Sequence, residues 1–354
     1  MTGKWIYWLD ELTKEHGNLV GKKCANLGEL TRAGFRVPKG FALSLDAYER
    51  FMRESGALQE ARKYLSSFSA DPNNPAQLPR WQEAADQLRA MVESKPMPGD
   101  MADVILHYYA QVCERTDVGD CPVATRSAGP ASHPGQYETF LHVRGGQEVL
   151  RNIVRVWGST FNQRSLVARG HGGFSLEYDP IGVAVLQMVN AKAAGVMFTL
   201  NPANGDRTKI MIEGNWGLGE SVVSGSVTPD EWVVDKVVLE ISRKTISVKE
   251  LEYVVDAGGT VGFRDIPPER KNVPCLTEEE VLELAKGGKQ IEQHYGEPQD
   301  IEWVMDKDLP LPDSIFFVQT RPETTWKEKA KESKLTSTGD VKKDVIQFWM
   351  NVKG

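Results

Sequence analysis

The sequence predicts an α+β fold, from three observations. First, Pro298 to Glu323, PQDIEWVMDKDLPLPDSIFFVQTRPE, shows period-two alternation with aromatics, broken by Pro310 and Pro312, the signal of a strand-turn-strand unit. Second, Leu45–Leu65, Trp81–Val92 and Met101–Cys113 carry apolar residues at helical spacing. Third, apolar runs of strand length, IGVAVLQMV (Ile181 to Val189) and GVMFTL (Gly195 to Leu200), follow those helices and read as a pair of buried strands.

The 354 residues leave room for two or three domains with real cores. A net charge of −7 argues against a nucleic-acid partner, which usually meets a basic stripe, so any anionic ligand must be held by locally placed Lys and Arg. The four cysteines are scattered, without C-x-x-C or paired Cys/His spacing, as expected of free thiols in a reducing compartment. MTGKWIYWLDEL lacks the basic and apolar regions of a signal peptide, and no run approaches the ~20 apolar residues of a membrane helix. A cytoplasmic protein with no membrane partner is the expectation.

Element by element, Trp5–Leu9 reads as a short strand. GKKCANLGEL then enters a helix that stops at Gly34, and Gly40–Leu43 is a strand. A Gly-Lys-Lys at a helix start suits an anion, through backbone N–H groups and a lysine; it also suits a solvated loop. The helical block that follows reads as scaffold, with His107 packed among its aromatics. In PVATRSAGPASHPGQYETF, Val123 and Ala124 end a strand, and Arg126 stands at the root of a small-residue loop. Such a loop lets N–H groups approach phosphate oxygens while Arg supplies a planar donor set. His133 in that loop and His171 in HGG both read as solvated. Gln187 and Val189, at the end of their strand, can present an amide and a backbone edge to an adenine ring. Lys209–Glu213 is a strand, and a glycine-rich segment without the usual nucleotide fingerprints follows it. Trp232–Val255 reads as a meander, and Thr277 with Glu280 as a capping box that opens a long helix. If the final hairpin is symmetric, Glu302 faces Gln319 and Asp300 faces Arg321. That face suits Mg²⁺ held between protein oxygens and phosphates, with Arg on the phosphate charge. It equally suits an ordinary surface hairpin with a salt bridge. A last helix is expected at Val341–Val352.

Five stretches in order, GKKCANLGEL with RVPKGFAL, ATRSAGP with GQYETFLHVRG, VLQMV with GVMFTLNP, EGNWGLGESVVSGSVTPDEWVVD, and DIEWVMD with FFVQTRPE, resemble the ATP-binding part of the phosphoenolpyruvate synthase and pyruvate phosphate dikinase family. The resemblance implies an ATP-grasp-type nucleotide-binding fold of two or three subdomains with the site between them. The expected division is 1–190, 191–325 with the metal and phosphate hairpin, and 326–354 as polar linker and terminal helix. It implies that Lys23, Arg126 and Arg321 hold phosphate oxygens, and that Glu302 and Gln319 hold Mg²⁺ (or Mn²⁺). Thr139 then lies near the phosphates, Glu213 near base or ribose, and Gln187 with Val189 at the adenine hinge. The implied activity is cleavage of ATP, with transfer of its β,γ-diphosphate to a histidine and release of AMP and then Pi. Neither that phosphohistidine motif nor a barrel for the acceptor is recognisable here. A partner subunit bearing the swivelling phosphohistidine domain and the acceptor site is therefore expected. The length resembles the ATP-binding chain of a split member of the family that phosphorylates phenol. The alternatives are pyruvate or another hydroxyl acceptor, or a nucleotide-binding regulatory subunit without catalysis.

Overall fold

The computed structural model describes residues 3–130, 137–324 and 326. His133 and the helix expected at Val341–Val352 fall outside them. Two antiparallel sheets carry the fold. The first has the order β1 (Ile6–Trp8), β2 (Gly40–Leu43), β5 (Gly182–Gln187), β3 (Val123–Ala128), β4 (Thr139–Val143). The second runs β13 (Ile315–Pro322), β12 (Gln299–Asp306), β6 (Ala191–Phe198), β7 (Lys209–Trp216), β8 (Asp230–Asp235), β9 (Glu240–Thr245). A separate hairpin pairs β10 (Leu251–Val255) with β11 (Val261–Asp265). The helices are α1 (Gly17–Val20), α2 (Lys22–Arg32), α3 (Leu45–Glu54), α4 (Ala57–Leu65), α5 (Leu78–Glu93), α6 (Gly99–Thr116), α7 (Gly146–Gly158), α8 (Gln163–His171), α9 (Glu220–Val223), α10 (Pro268–Lys271) and α11 (Glu278–Tyr295). The mixed α+β class is as expected.

The continuous apolar run of β5 has a simple cause. Successive strand residues face opposite sides, and both sides of the first sheet are covered. Val183 and Val185 enter a core built with α3 to α8, whereas Ala184 and Leu186 enter a second core with α2 and the other sheet. β2 does the same, with Phe41 and Leu43 on one side and Ala42 on the other. Helix α11 covers the second sheet through Val281, Leu284, Ala285 and Ile291, and starts on the expected capping box: Glu280 N donates to Thr277 Oγ1 at 3.2 Å and Thr277 N to Glu280 Oε2 at 2.7 Å.

Four local readings change. β5 and β6 are not partners, because the chain leaves the first sheet after Gln187 and enters the second at Ala191. β10 pairs with β11 rather than extending the meander of β8 and β9. The helix read over Leu45–Leu65 breaks at Gly56, whose φ of 79° favours glycine and ends one helix before the next begins. Arg126 lies within strand β3, not at the root of a loop.

Candidate active site in the cleft between the sheets

A cavity of about 880 Å³ separates the two sheets. Lys23, Arg126, Thr139, Gln187, Val189, Glu302, Gln319 and Arg321 all line it, drawn from both sheets and from α2.

Arg126 is where the two sheets meet. Its neighbours on the same strand face are Ala124 and Ala128, small enough to leave the guanidinium room to leave its own sheet. Thr139 stands beside it across the β3–β4 pair. Arg126 Nη2 donates to Glu302 Oε2 at 2.9 Å and to Gln319 Oε1 at 3.5 Å, and Nη1 donates to the Val318 carbonyl at 3.1 Å. Arg126 and Glu302 are 17% and 16% exposed, so this pair is far less screened than a surface one.

The hairpin supplies the opposite side. Glu302 faces Gln319 and Asp300 faces Arg321, the pairs expected from symmetry. The symmetry itself does not hold, since Trp303 faces Phe317 and one extra residue, Val318, interrupts β13. This bulge matters. In a regular strand Phe317 and Gln319 would share a face. With it, Phe317 packs in the core with Trp303 while Gln319 turns to the cleft beside Glu302. The bulged Val318 carbonyl is the one that receives Arg126.

Lys23 lies in the first turn of α2. Gly21, at φ 83°, lets that turn press on β3: a Cβ there would sit 1.9 Å from the Ala128 carbonyl oxygen. The Lys22 N–H donates to the Gly129 carbonyl at 3.0 Å. Burial brings the Lys23 ammonium down from 10.5 to about 8, and the nearby Arg126 charge pushes the same way. Arg321 is held by Asp300 Oδ2, at 2.8 Å from Nε and 2.6 Å from Nη2. Burial raises the Asp300 carboxyl against the opposing pull of Arg321.

At the other end, the Met188 N–H donates to the Pro122 carbonyl at 2.8 Å and the Gln187 N–H to the Lys39 carbonyl at 2.7 Å, which fix the strand end carrying Val189. Among the described residues the Val189 N–H has no protein acceptor. Glu213 does not line the cavity. It shares a face with Glu302, with Val196 between them, about 10 Å away by ordinary strand spacing. Burial raises its carboxyl, helped by Glu231 beside it.

Asn26 was not foreseen. Its Nδ2 donates to the Thr320 carbonyl at 2.9 Å, tying α2 to β13 inside the cleft, and its position one helical turn after Lys22 and Lys23 was a usable signal. His142 and the β10–β11 hairpin were also missed, although Asp256-Ala-Gly-Gly-Thr260 is a recognisable turn.

The donor set fits a hard divalent cation. Two oxygen donors, Glu302 and Gln319, converge on one positive group, the Arg126 guanidinium. Among the described residues no cluster of three His, Cys, Asp or Glu could hold a metal alone. An oxygen pair such as Glu302 and Gln319 suits Mg²⁺, which takes one or two protein oxygens and completes its shell with phosphate and water. Three cations, two oxygen donors and a cleft of this size suit a polyphosphate chelated to a metal.

The fold is thus an α+β module with a cleft between two sheets whose lining suits a polyphosphate. The family model for the pyruvate phosphate dikinase AMP/ATP-binding domain matches residues 17–340, and the chain belongs to that family. Probable phosphoenolpyruvate synthases of Staphylothermus marinus and Methanocaldococcus jannaschii are 38% and 37% identical over 98% and 94% of this chain, and 44% and 28% of their own length. Phosphoenolpyruvate synthase of Pyrococcus furiosus is 36% identical over 93% of this chain and 45% of its own. The chain spans less than half the length of these relatives. No described helix is long and apolar enough to cross a membrane.

Proposed function

We propose that the chain binds and cleaves ATP for a dikinase-type phosphotransferase, passing the β,γ-diphosphate to a histidine outside the described residues with release of AMP, after which water cleaves the remaining phosphoanhydride bond to give phosphohistidine and Pi. The observation that carries this reading is the three-way contact of Arg126 with Glu302, Gln319 and the Val318 carbonyl. It draws the residues for phosphate and metal from both sheets to one point.

In this reading Arg126, Lys23 and Arg321 neutralise the triphosphate, Thr139 bonds a phosphate oxygen, and Gln187 with the Val189 N–H reads the base. Phosphoryl transfer asks mainly for positioning and charge neutralisation, and these side chains provide both. Mg²⁺ held by Glu302 and Gln319 would add charge neutralisation across the phosphate oxygens when bound. Lys23, at about 8 in the unliganded cleft, is already cationic at neutral pH and takes up a proton on phosphate binding only above about pH 8. Asp300 keeps the Arg321 fork aimed at the cleft mouth.

The relatives' names favour pyruvate as the final acceptor. Phenol, the acceptor of the split enzyme phenylphosphate synthase, is the other arm of the assay. Incubating the protein with labelled ATP and a histidine-bearing phosphocarrier domain should give AMP and Pi, with phosphohistidine that turns over on adding pyruvate. ADP as the product contradicts the reading, and turnover with phenol alone moves the acceptor.

A further inference from the structure

The nucleobase end of the cleft is bridged by one side chain that the proposed chemistry leaves unused. β4 carries one extra residue relative to β3: Val123 faces Val143 but Thr125 faces Phe140. At this irregularity His142 adopts φ 54°, the left-handed region that His enters more readily than most residues but that still costs energy. Its Nδ1 donates to the Gly259 carbonyl at 2.9 Å, which assigns the proton to Nδ1.

Gly259 sits at the tip of the β10–β11 hairpin, and the tip is built to hold that carbonyl. Asp256 Oδ1 accepts from the Gly258 and Thr260 N–H groups at 2.8 Å each, and the Gly259 N–H donates to the Asp256 carbonyl at 3.0 Å. The hairpin's base is fixed to the second sheet. The Leu218 N–H donates to the Tyr253 carbonyl at 2.7 Å, and Asn215 Nδ2 to the Leu251 carbonyl at 2.8 Å. A Cβ on Gly217 would lie 2.3 Å from that Tyr253 oxygen, so this junction is close-packed. Tyr253 and Val261 face the cavity from the hairpin, and Phe140 and His142 face it from β4.

We propose that His142 is a positioning residue which latches the β10–β11 hairpin over the base of the bound nucleotide. The contact joins an element of the first sheet to one carried by the second, so the hairpin lifts when the Nδ1–Gly259 bond opens and closes the base end when it re-forms. The nucleotide part of this inference rests on the proposed function. The latch rests on the geometry alone.

Three variants separate the hydrogen bond from the backbone. His142→Gly keeps the positive φ and removes the bond; His142→Asn keeps the positive φ and a side-chain donor; His142→Ala loses both. The latch predicts that His142→Gly, with its melting temperature unchanged, releases ATP roughly two to ten times faster, the range for one neutral hydrogen bond. His142→Asn lies closer to wild type. Amide exchange at Gly258–Val261 rises in His142→Gly even without nucleotide. Unchanged exchange there overturns the latch. Faster exchange with unchanged ATP release overturns its role at the base. Absence of ATP binding to the wild-type protein overturns the proposed function and leaves the exchange result to decide the latch.

Discussion

The two ends of the cleft are each organised by a one-residue irregularity in an edge strand, with opposite chemistry. At the phosphate end, Val318 interrupts β13, and the result is charged: a carbonyl and two side-chain oxygens gathered on Arg126. At the base end, the extra residue in β4 gives a single neutral hydrogen bond from His142 to Gly259. An irregular strand re-aims a side chain in both places. In the proposed function the charged end would bear the affinity and the metal, and the neutral end would bear access.

That contrast is broken most severely by Arg126→Ala. It leaves Glu302 buried without its partner, and we expect a stability loss of about 2–4 kcal/mol in denaturant unfolding. Calorimetry should show ATP affinity falling at least ~100-fold, because a charged contact at the phosphate end goes with it.

Lys23→Met sharpens the contrast by separating affinity from stability. An ordinary lysine stays protonated up to 10.5, but in the fold this one loses its proton near 8. Between those values the unfolded chain binds more protons, so stability rises with pH across that window, and below pH 8 the buried ammonium opposes folding. The methionine variant should therefore be more stable by about 1–3 kcal/mol at pH 7, read from its unfolding curve, while binding ATP roughly ten- to a hundredfold more weakly. The pH dependence follows from the same group. Wild-type affinity should be steady below pH 8 and fall up to about tenfold per unit above it, as binding comes to require proton uptake. The Lys23→Met profile should be flat there.

The smallest effect is expected from Asp300→Asn. Arg321 is 40% exposed, so loosening its anchor should weaken ATP binding only about two- to fivefold, measured by the same titration, and leave stability within ~1 kcal/mol.

Much of the phosphate end was legible because it lies on local pattern. Period-two alternation in β12 put Glu302 and Asp300 on one side of the sheet, and the Pro-rich turn set them against Gln319 and Arg321. The bulge at Val318 was not legible, since nothing in IFFVQTR distinguishes a regular strand from one with an extra residue; the pairs came out right because they lie beyond it. Long-range placement was hidden as well. Ile181–Val189 and Gly195–Leu200 read as partners because short connections usually join paired strands, yet here the connection is the passage between sheets. The base end was least visible. His142 is one residue in an unremarkable strand, and only the fold brings it to Gly259, 117 positions away.

In the proposed function Glu302 and Gln319 hold the metal on the ATP phosphates. A crystal of the protein grown with Mn²⁺ and a non-hydrolysable ATP analogue tests it most directly. Anomalous density bonded to Glu302 and Gln319 is expected, with Arg126 turned onto a phosphate oxygen. Density elsewhere, with Glu302 still paired to Arg126, would contradict it.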